Sequence, residues 1–354
     1  MEKPIFLAST DWHFTNENSK EIYGLIEEKF KLAISLGLKE VFMLGDVFVS
    51  RISQRMEILD SFWDILNLAK EYGIIMYVIP GNHDKTDYKS DRSFLRFYSY
   101  HPNIRLVENH LSLIRGEYEI HLMPYFTNSS EKFKDNFDKC LSPTDISKKQ
   151  ILMSHFAVQG SINNDGTKIE KGCSVSEFKS FEMVFLGHYH NTHNVSSNIL
   201  HIPSLRQNNF GEDDKKGFTI MFEDGEIELV SPNFTKYIKV KLDLDEVKFN
   251  DLFLEAEKYS KSNPNDNVRF VVTGEENLVR SLETSRFTNM GIDIRKNIKS
   301  LVPELSDSPN VQEIVEWTKS DVMERFKKYC IKGKLDLDYG NELIIKIIGR
   351  NVKG

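Results

Sequence analysis

Five short apolar runs in the first 190 residues each lead into side chains of metal-ligating type, and this recurrence constrains the fold more than any other feature. "IFLAS" (5–9) runs into "TDWH", "VFMLG" (41–45) into Asp46, and "IIMYVIP" (74–80) into "GNHD". "ILMS" ends at His155, and "VFLG" is followed by "HYH". Short apolar runs bounded by turn or polar residues read as buried strands. Between the first three lie 19–37 and 52–73, with apolar residues at helical spacing and a glycine at the end, the usual C-terminal stop. Strand–helix–strand alternation predicts largely parallel sheet covered by helices. In such sheets ligands bind outside the carboxyl ends of the strands, where residues remote in sequence converge.

After residue 195 the strands crowd together, at 198–204, 217–223 and 226–231, which predicts a two-sheet α/β sandwich over 1–232. "SPNFTKY" (231–237) reads as a boundary. A β-α-β-α-β order over 236–300 predicts a small separate α+β domain, and the proline- and turn-rich stretch 301–312 a linker. The remaining 313–354 opens on an amphipathic helix carrying Trp317, Val322 and Phe326 at helical spacing. A tail helix with a tryptophan and no domain of its own needs a partner's groove to lie in.

The strand-end set is Asp11, His13, Asp46, Asn82, His83, His155, His188 and His190, which includes five of the ten histidines. Taken singly, each motif is compatible with turn chemistry or surface histidines. Together they offer carboxylate, imidazole and one amide, donors suited to divalent Mn, Fe or Zn rather than to soft copper or iron–sulfur centres. The seven besides His83 exceed what one tetrahedral ion takes and suit two, an arrangement used for phosphoryl transfer to water.

The ordered set "DWH", "GD", "GNHD", "SH" and "GHYH" resembles the calcineurin-like metallophosphoesterase superfamily. The resemblance implies one metal held by Asp11, His13 and His190, a second by Asn82, His155 and His188, and Asp46 bridging both. His83 is then the non-ligand that supplies a proton or positive charge to the leaving oxygen, with Asp84 orienting it. Within the superfamily, "LASTDWHF", "LGDVFVSRISQ" and "HIPSLRQNNFGEDDKKGFTIM" (201–221) resemble the SbcD/Mre type of DNA-repair nuclease subunit. That implies two divalent ions, Mn2+ ahead of Mg2+, and 3′-to-5′ exonuclease and endonuclease activity in recombination and double-strand-break repair. It also implies that 236–300 is a capping or DNA-binding domain and that an SMC-like ATPase partner of the SbcC/Rad type docks on the C-terminal segment, whose modest length suits a bacteriophage version. Alternatives are a small-molecule phosphodiesterase on the same core and an inactive scaffold for the ATPase.

Other classes are disfavoured by composition. A net charge of −7 gives no global attraction to nucleic acid, so a passive DNA-coating protein is disfavoured. Local cations remain as candidate DNA contacts: Arg51, Arg55, Lys85, Lys89, Arg92, Arg96 and, beyond a core strand, Arg206 with Gln207. Glu57, Asp60, Asp87 and Asp91 offer a competing reading of the first six as solvated, balanced helix charges. The apolar excess at 52–71, with 91–100, predicts a homodimer interface. No apolar run approaches the roughly 18–20 residues of a membrane span. Cys140, Cys173 and Cys330 fit no disulfide framework, and "MEKPIFLAST" no signal peptide, so the expected setting is the cytoplasm of a bacterial cell or phage-infected host.

Overall fold

A computed structural model describes residues 3–247 and 249–299. Strands β1 (Pro4–Ser9), β2 (Glu40–Leu44), β3 (Ile75–Ile79) and β4 (Ile104–Leu106) lie side by side in parallel. The next six build a second mixed sheet: β5 (Leu111–Arg115), β6 (Tyr118–Met123), β7 (Lys149–Ser154), β8 (Met183–Leu186), β9 (His193–Ser196) and β10 (Ile199–His201), ordered β5-β6-β7-β8-β10-β9. The chain then returns, and β11 (Phe218–Phe222) and β12 (Ile227–Val230) extend the first sheet to β12-β11-β1-β2-β3-β4 through antiparallel pairing on β1.

Helices α1 (Ser19–Ser35) and α2 (Met56–Glu71) cover the outer face of the first sheet. Alternation along the strands decides what faces what. Leu7, Val41, Met43, Met76 and Val78 point to these helices and meet Ile22, Ile26 and Phe30 of α1 and Phe62, Leu66 and Ala69 of α2. Phe6, Ala8, Phe42 and Leu44 point the other way, onto Ile120, Leu122, Ile151, Met153 and Phe185 of the second sheet. Helix α3 (Glu131–Cys140) covers that sheet's far side, where Phe133 and Phe137 meet Met123, Leu152 and Val184. The result is the α/β sandwich of two sheets. Each fully buried aromatic such as Phe62 contributes about 2 kcal/mol through the area it removes from water.

Farther along, β13 (Tyr237–Asp243), α4 (Phe249–Ser262), β14 (Asn267–Gly274), α5 (Glu276–Ser281), α6 (Thr284–Thr288) and β15 (Ile292–Ile298) form a three-stranded sheet with helices. Packing divides the chain into two compact units. The first comprises 1–241, 249–271 and 283–295 and includes both six-stranded sheets. The second includes 242–248 and 272–282; there Leu244 is buried and Lys299 Nζ lies 2.7 Å from Asp243 and 2.5 Å from Asp245. The expected linker 301–312 and tail 313–354, with Trp317, Val322 and Phe326, lie outside the described residues.

Candidate metal centre

Beyond the carboxyl ends of β1, β2 and β3 the chain does not turn away at once. Asp11 N donates to Gly45 O at 3.0 Å, His13 N to Asp46 O at 3.1 Å and Phe14 N to Val47 O at 2.9 Å, so the loops after β1 and β2 stay zipped together. Asp11, His13, Asp46 and His188 have φ of 52°, 49°, 57° and 86°; they are the non-glycine residues with positive φ among the described residues. Left-handed backbone costs on the order of 1 kcal/mol at each such residue and persists where the surroundings over-determine it. All four are residues singled out by the strand-end motifs.

Glycines make room for this geometry. A Cβ on Gly81 would overlap the Asp46 carboxylate and backbone nitrogen. One on Gly187 would overlap Thr10 Oγ1 and stand 2.6 Å from Leu44 O and 2.7 Å from His155 Nδ1.

The side chains meet in three overlapping groups whose donor atoms lie within 4.8 Å of one another: Asp11, His13 and His190; Asp46, His155 and His188; and His13, Asp46 and His83. In the first, His13 Nε2 is 3.0 Å from His190 Nε2, and Asp11 Oδ1 is 3.6 Å from each. In the second, Asn82 Oδ1 stands 3.1 Å from His155 Nε2 and 2.9 Å from His188 Nδ1, while Asp46 Oδ2 is 3.2 Å from His155 Nε2. Asp46 Oδ2 also lies 3.8 Å from His13 Nε2, which places this oxygen between the groups.

Most of these ligand candidates have one atom held by the protein and another aimed inward. Asp11 Oδ2 accepts from Thr10 Oγ1 (2.7 Å) and from the His188 backbone (3.1 Å), while its buried Oδ1 has no hydrogen-bond partner. Asp46 Oδ1 accepts from the His83 backbone at 2.8 Å, which leaves Oδ2 inward. His155 donates from Nδ1 to Leu44 O (2.7 Å) and His190 from Nδ1 to Glu212 Oε1 (2.7 Å), each presenting Nε2. Buried polar atoms without partners call for an occupant. Donors about 2.1 Å from a shared ion, at tetrahedral or octahedral angles, stand roughly 3.0–3.4 Å apart, close to the spacing found. The residues present fit two divalent cations.

Electrostatics point the same way. Burial opposes charge on Asp11 and Asp46, yet the surrounding imidazoles hold both carboxyls well below the usual range. Burial likewise opposes charge on His155, but Asp46 and Asp11 outweigh it and raise this imidazole to about 9. His188 is pushed down to about 4, by burial and then by charge on His155. Two buried carboxylates held ionised give the pocket negative charge that bound cations would offset.

His83 is placed differently. Its Nδ1 donates to Val49 O at 2.6 Å and its Nε2 accepts from Arg51 Nη2 at 2.8 Å, so both ring nitrogens are engaged. Burial lowers its basicity, partly offset by Asp46. Asp84 corrects the expectation built on sequence: its carboxylate does not touch His83. Its Oδ2 accepts from the backbone N–H of Gly81 (2.8 Å), Asp46 (2.9 Å) and Val47 (3.3 Å), and its Oδ1 from Phe48 (3.0 Å). Fully buried, it ties the loop after β3 to the loop after β2. Orientation of His83 falls to Val49 and Arg51.

The candidate DNA contacts separate. Arg51 reaches His83 and Tyr88 and lines a cleft of about 800 Å³ over the centre, with His13, Asp46, Asn163, Asn164 and Asn208. Arg55, Lys89 and Arg92 are exposed. Arg206 is 4% exposed with Nε 2.7 Å from Glu21 Oε2, so an internal partner takes its charge; this argues against its expected role as a free phosphate contact. Lys85 is also buried, donating to Tyr125 O at 2.6 Å, and Arg96 is paired with Glu108 at 2.9 Å. Gln207 is buried and donates to Glu212 O at 3.0 Å.

Sequence reasoning missed Glu212, whose Oε2 lies 3.3 Å from the buried Lys216 Nζ, and Asn164, whose Oδ1 accepts from the His190 backbone at 2.8 Å. The run "GEDDKKG" signals an acidic contact near the site but not which carboxylate makes it.

Known proteins resemble this chain to different degrees. Exonuclease subunit 1 of Enterobacteria phage T4 is 23% identical over 236 residues, which cover 64% of this chain and 67% of that protein. A dimetal phosphatase from Danio rerio is 11% identical at a TM-score of 0.38, covering 62% of this chain and 93% of that one. The model of the calcineurin-like phosphoesterase family matches residues 5–192, over half of the chain. The chain belongs to the calcineurin-like phosphoesterase family.

Proposed function

We propose that this phosphoesterase is a two-metal, Mn2+-dependent DNA nuclease. The observation that carries the reading is the Asp46 carboxylate, with one oxygen fixed by backbone and the other directed between two three-residue donor groups. Asp11, His13 and His190 would hold one ion, Asn82, His155 and His188 the other, with Asp46 shared. Bound there, the cations supply charge stabilisation for a phosphoryl group and a nucleophile from water at neutral pH. The chain's own residues do the rest. His83, steadied by Val49 and Arg51, faces the leaving oxygen and shares its developing charge with the Arg51 guanidinium. Asn82 adds a ligand without adding negative charge beside a phosphate.

The DNA substrate rests on similarity to an exonuclease subunit and on exposed Arg51, Arg55, Lys89 and Arg92 after two of the motifs. Similarity to a subunit supports a multi-subunit complex; an SMC-like ATPase as partner, 313–354 as its attachment and a cytoplasmic setting are proposed with it. Among the described residues no helix is long and apolar enough to cross a membrane. Self-association is proposed through Ile52, Met56 and Trp63 with Phe97 and Tyr100, which are exposed around α2 and the 3-10 helix Phe94–Tyr100.

End-labelled duplex DNA and a small model diester, each offered with Mn2+ or Mg2+, test the reading. Mn2+-dependent shortening of DNA that Asp46→Ala abolishes supports it. Hydrolysis of the model diester with DNA left intact, even with the ATPase present, identifies a small-molecule phosphodiesterase instead.

A further inference from the structure

A second group of metal-ligating side chains lies on the far face of the second sheet. Along β6, Tyr118, Ile120 and Leu122 point into the inter-sheet core, so His121 and Met123 point the opposite way, toward α3. There His110, His121 and Cys140 present donor atoms within 4.8 Å of one another. They come from three separate elements: the loop before β5, the middle of β6 and the last turn of α3.

The local bonding is that of a prepared site. His121 donates from Nε2 to Gln150 Oε1 at 2.7 Å, so its Nδ1 carries no proton and its lone pair accepts from His110 Nε2 in place of a metal. These two nitrogens lie 2.9 Å apart, an approach matched in the candidate metal centre by His13 and His190 at 3.0 Å. Cys140 is buried, with Sγ 4.0 Å from the Met123 thioether. His110 is half-buried, which gives a path in from solvent, and its backbone N–H is fixed on Asn136 Oδ1 of α3 at 2.5 Å.

We propose that His110, His121 and Cys140 form a separate binding site for one thiophilic divalent cation, Zn2+ by its ligand chemistry, which braces α3 against β6. Two imidazoles and a thiolate suit a borderline-to-soft ion, unlike the carboxylate-rich centre beyond the strand ends. Binding releases the Cys140 proton to solvent as the sulfur–metal bond forms. Gln150 fixes the ligating tautomer of His121, as outer partners of metal-bound histidines do.

The test uses the reduced full-length chain loaded with Co2+ in place of Zn2+. The centre proposed for phosphoester hydrolysis contains no sulfur, so a thiolate-to-cobalt charge-transfer absorption reports the new site alone. The band is expected in the native chain and in Asp46→Ala, Cys173→Ser and Cys330→Ser, and is expected to disappear in Cys140→Ser. Gln150→Ala is expected to keep the band and to weaken Co2+ binding there by about tenfold. The half-buried position makes His110→Ala a variant that keeps its fold; it should lose the band while retaining native circular dichroism. No band in the native chain, or a band that survives in both Cys140→Ser and His110→Ala, overturns the proposal and leaves a hydrogen-bonded histidine pair.

Discussion

His190 donates its Nδ1 proton to Oε1 of Glu212 across 2.7 Å, and the buried ammonium of Lys216 lies 3.3 Å from the other carboxylate oxygen. Burial alone would raise the Glu212 pKa, but His190 and Lys216 hold it below the usual carboxylate range. The carboxylate fixes which nitrogen of His190 carries the proton and leaves Nε2 unprotonated toward His13. Glu212→Gln keeps an acceptor but removes the charge. Metal affinity is expected to fall about 10- to 100-fold, read by chelator competition, with the fold intact by circular dichroism.

Asp84 accepts from four backbone N–H groups on two loops. Its role is therefore architectural, and Asp84→Asn should lower stability by about 2–4 kcal/mol because an amide oxygen cannot satisfy that many donors. Denaturant midpoints with and without metal measure this. An unchanged midpoint, with only the turnover rate reduced, would return Asp84 to the role of orienting His83.

Gly187 stands where any side chain meets Thr10, Leu44 O and His155. One of these contacts is to a backbone oxygen that cannot swing away, so Gly187→Ala should displace His188 or His155. Loss of at least one of the two bound ions, counted by elemental analysis, is the expected outcome. Gly24→Ala, on α1 with nothing within 4 Å of a new Cβ, serves as the control and should keep both.

How much of this was legible in the sequence depended on what kind of signal each element carries. The strands that deliver the site are continuous apolar runs ending in Asp, Asn or His, and the structure brings those residues together because parallel strands end on one side. Helices α1 and α2 were legible from their spacing. Strand β5 and helix α3 were not: β5 is only half-buried, and α3 has Phe133, Phe137 and Cys140 as its whole apolar stripe among charged residues. Asp84 was misread because adjacency to His83 suggested contact, whereas successive residues in a turn point in different directions. Arg206 was misread because nothing in a sequence tells a buried, paired arginine from a free one.

Lys29 is fully buried on α1, donating to Ser9 Oγ at 2.8 Å and to Phe42 O at 2.9 Å, with no carboxylate among these partners. Burial depresses its pKa well below the ordinary lysine value. The unfolded chain then binds more protons than the folded one between that depressed pKa and about 10.4, so this group makes stability rise with pH across that window. Lys29→Met removes the penalty, and Ser9 Oγ keeps the Trp12 Nε1 donor at 3.0 Å. The variant should be more stable than the native chain by about 1–2 kcal/mol at neutral pH, with the difference vanishing near pH 10, in denaturant melts at several pH values.

The proposed division of labour, in which Asp46 joins two metal groups and His83 holds no ion, is tested most directly by His83→Ala. Its Mn2+ content and its hydrolysis of end-labelled duplex DNA are measured on the same preparation. Two ions per chain with hydrolysis reduced about 100-fold or more is the expected result, the scale of a lost electrostatic stabiliser of developing charge. Two ions per chain with hydrolysis at the native rate, or loss of one ion on removing the imidazole, would contradict it.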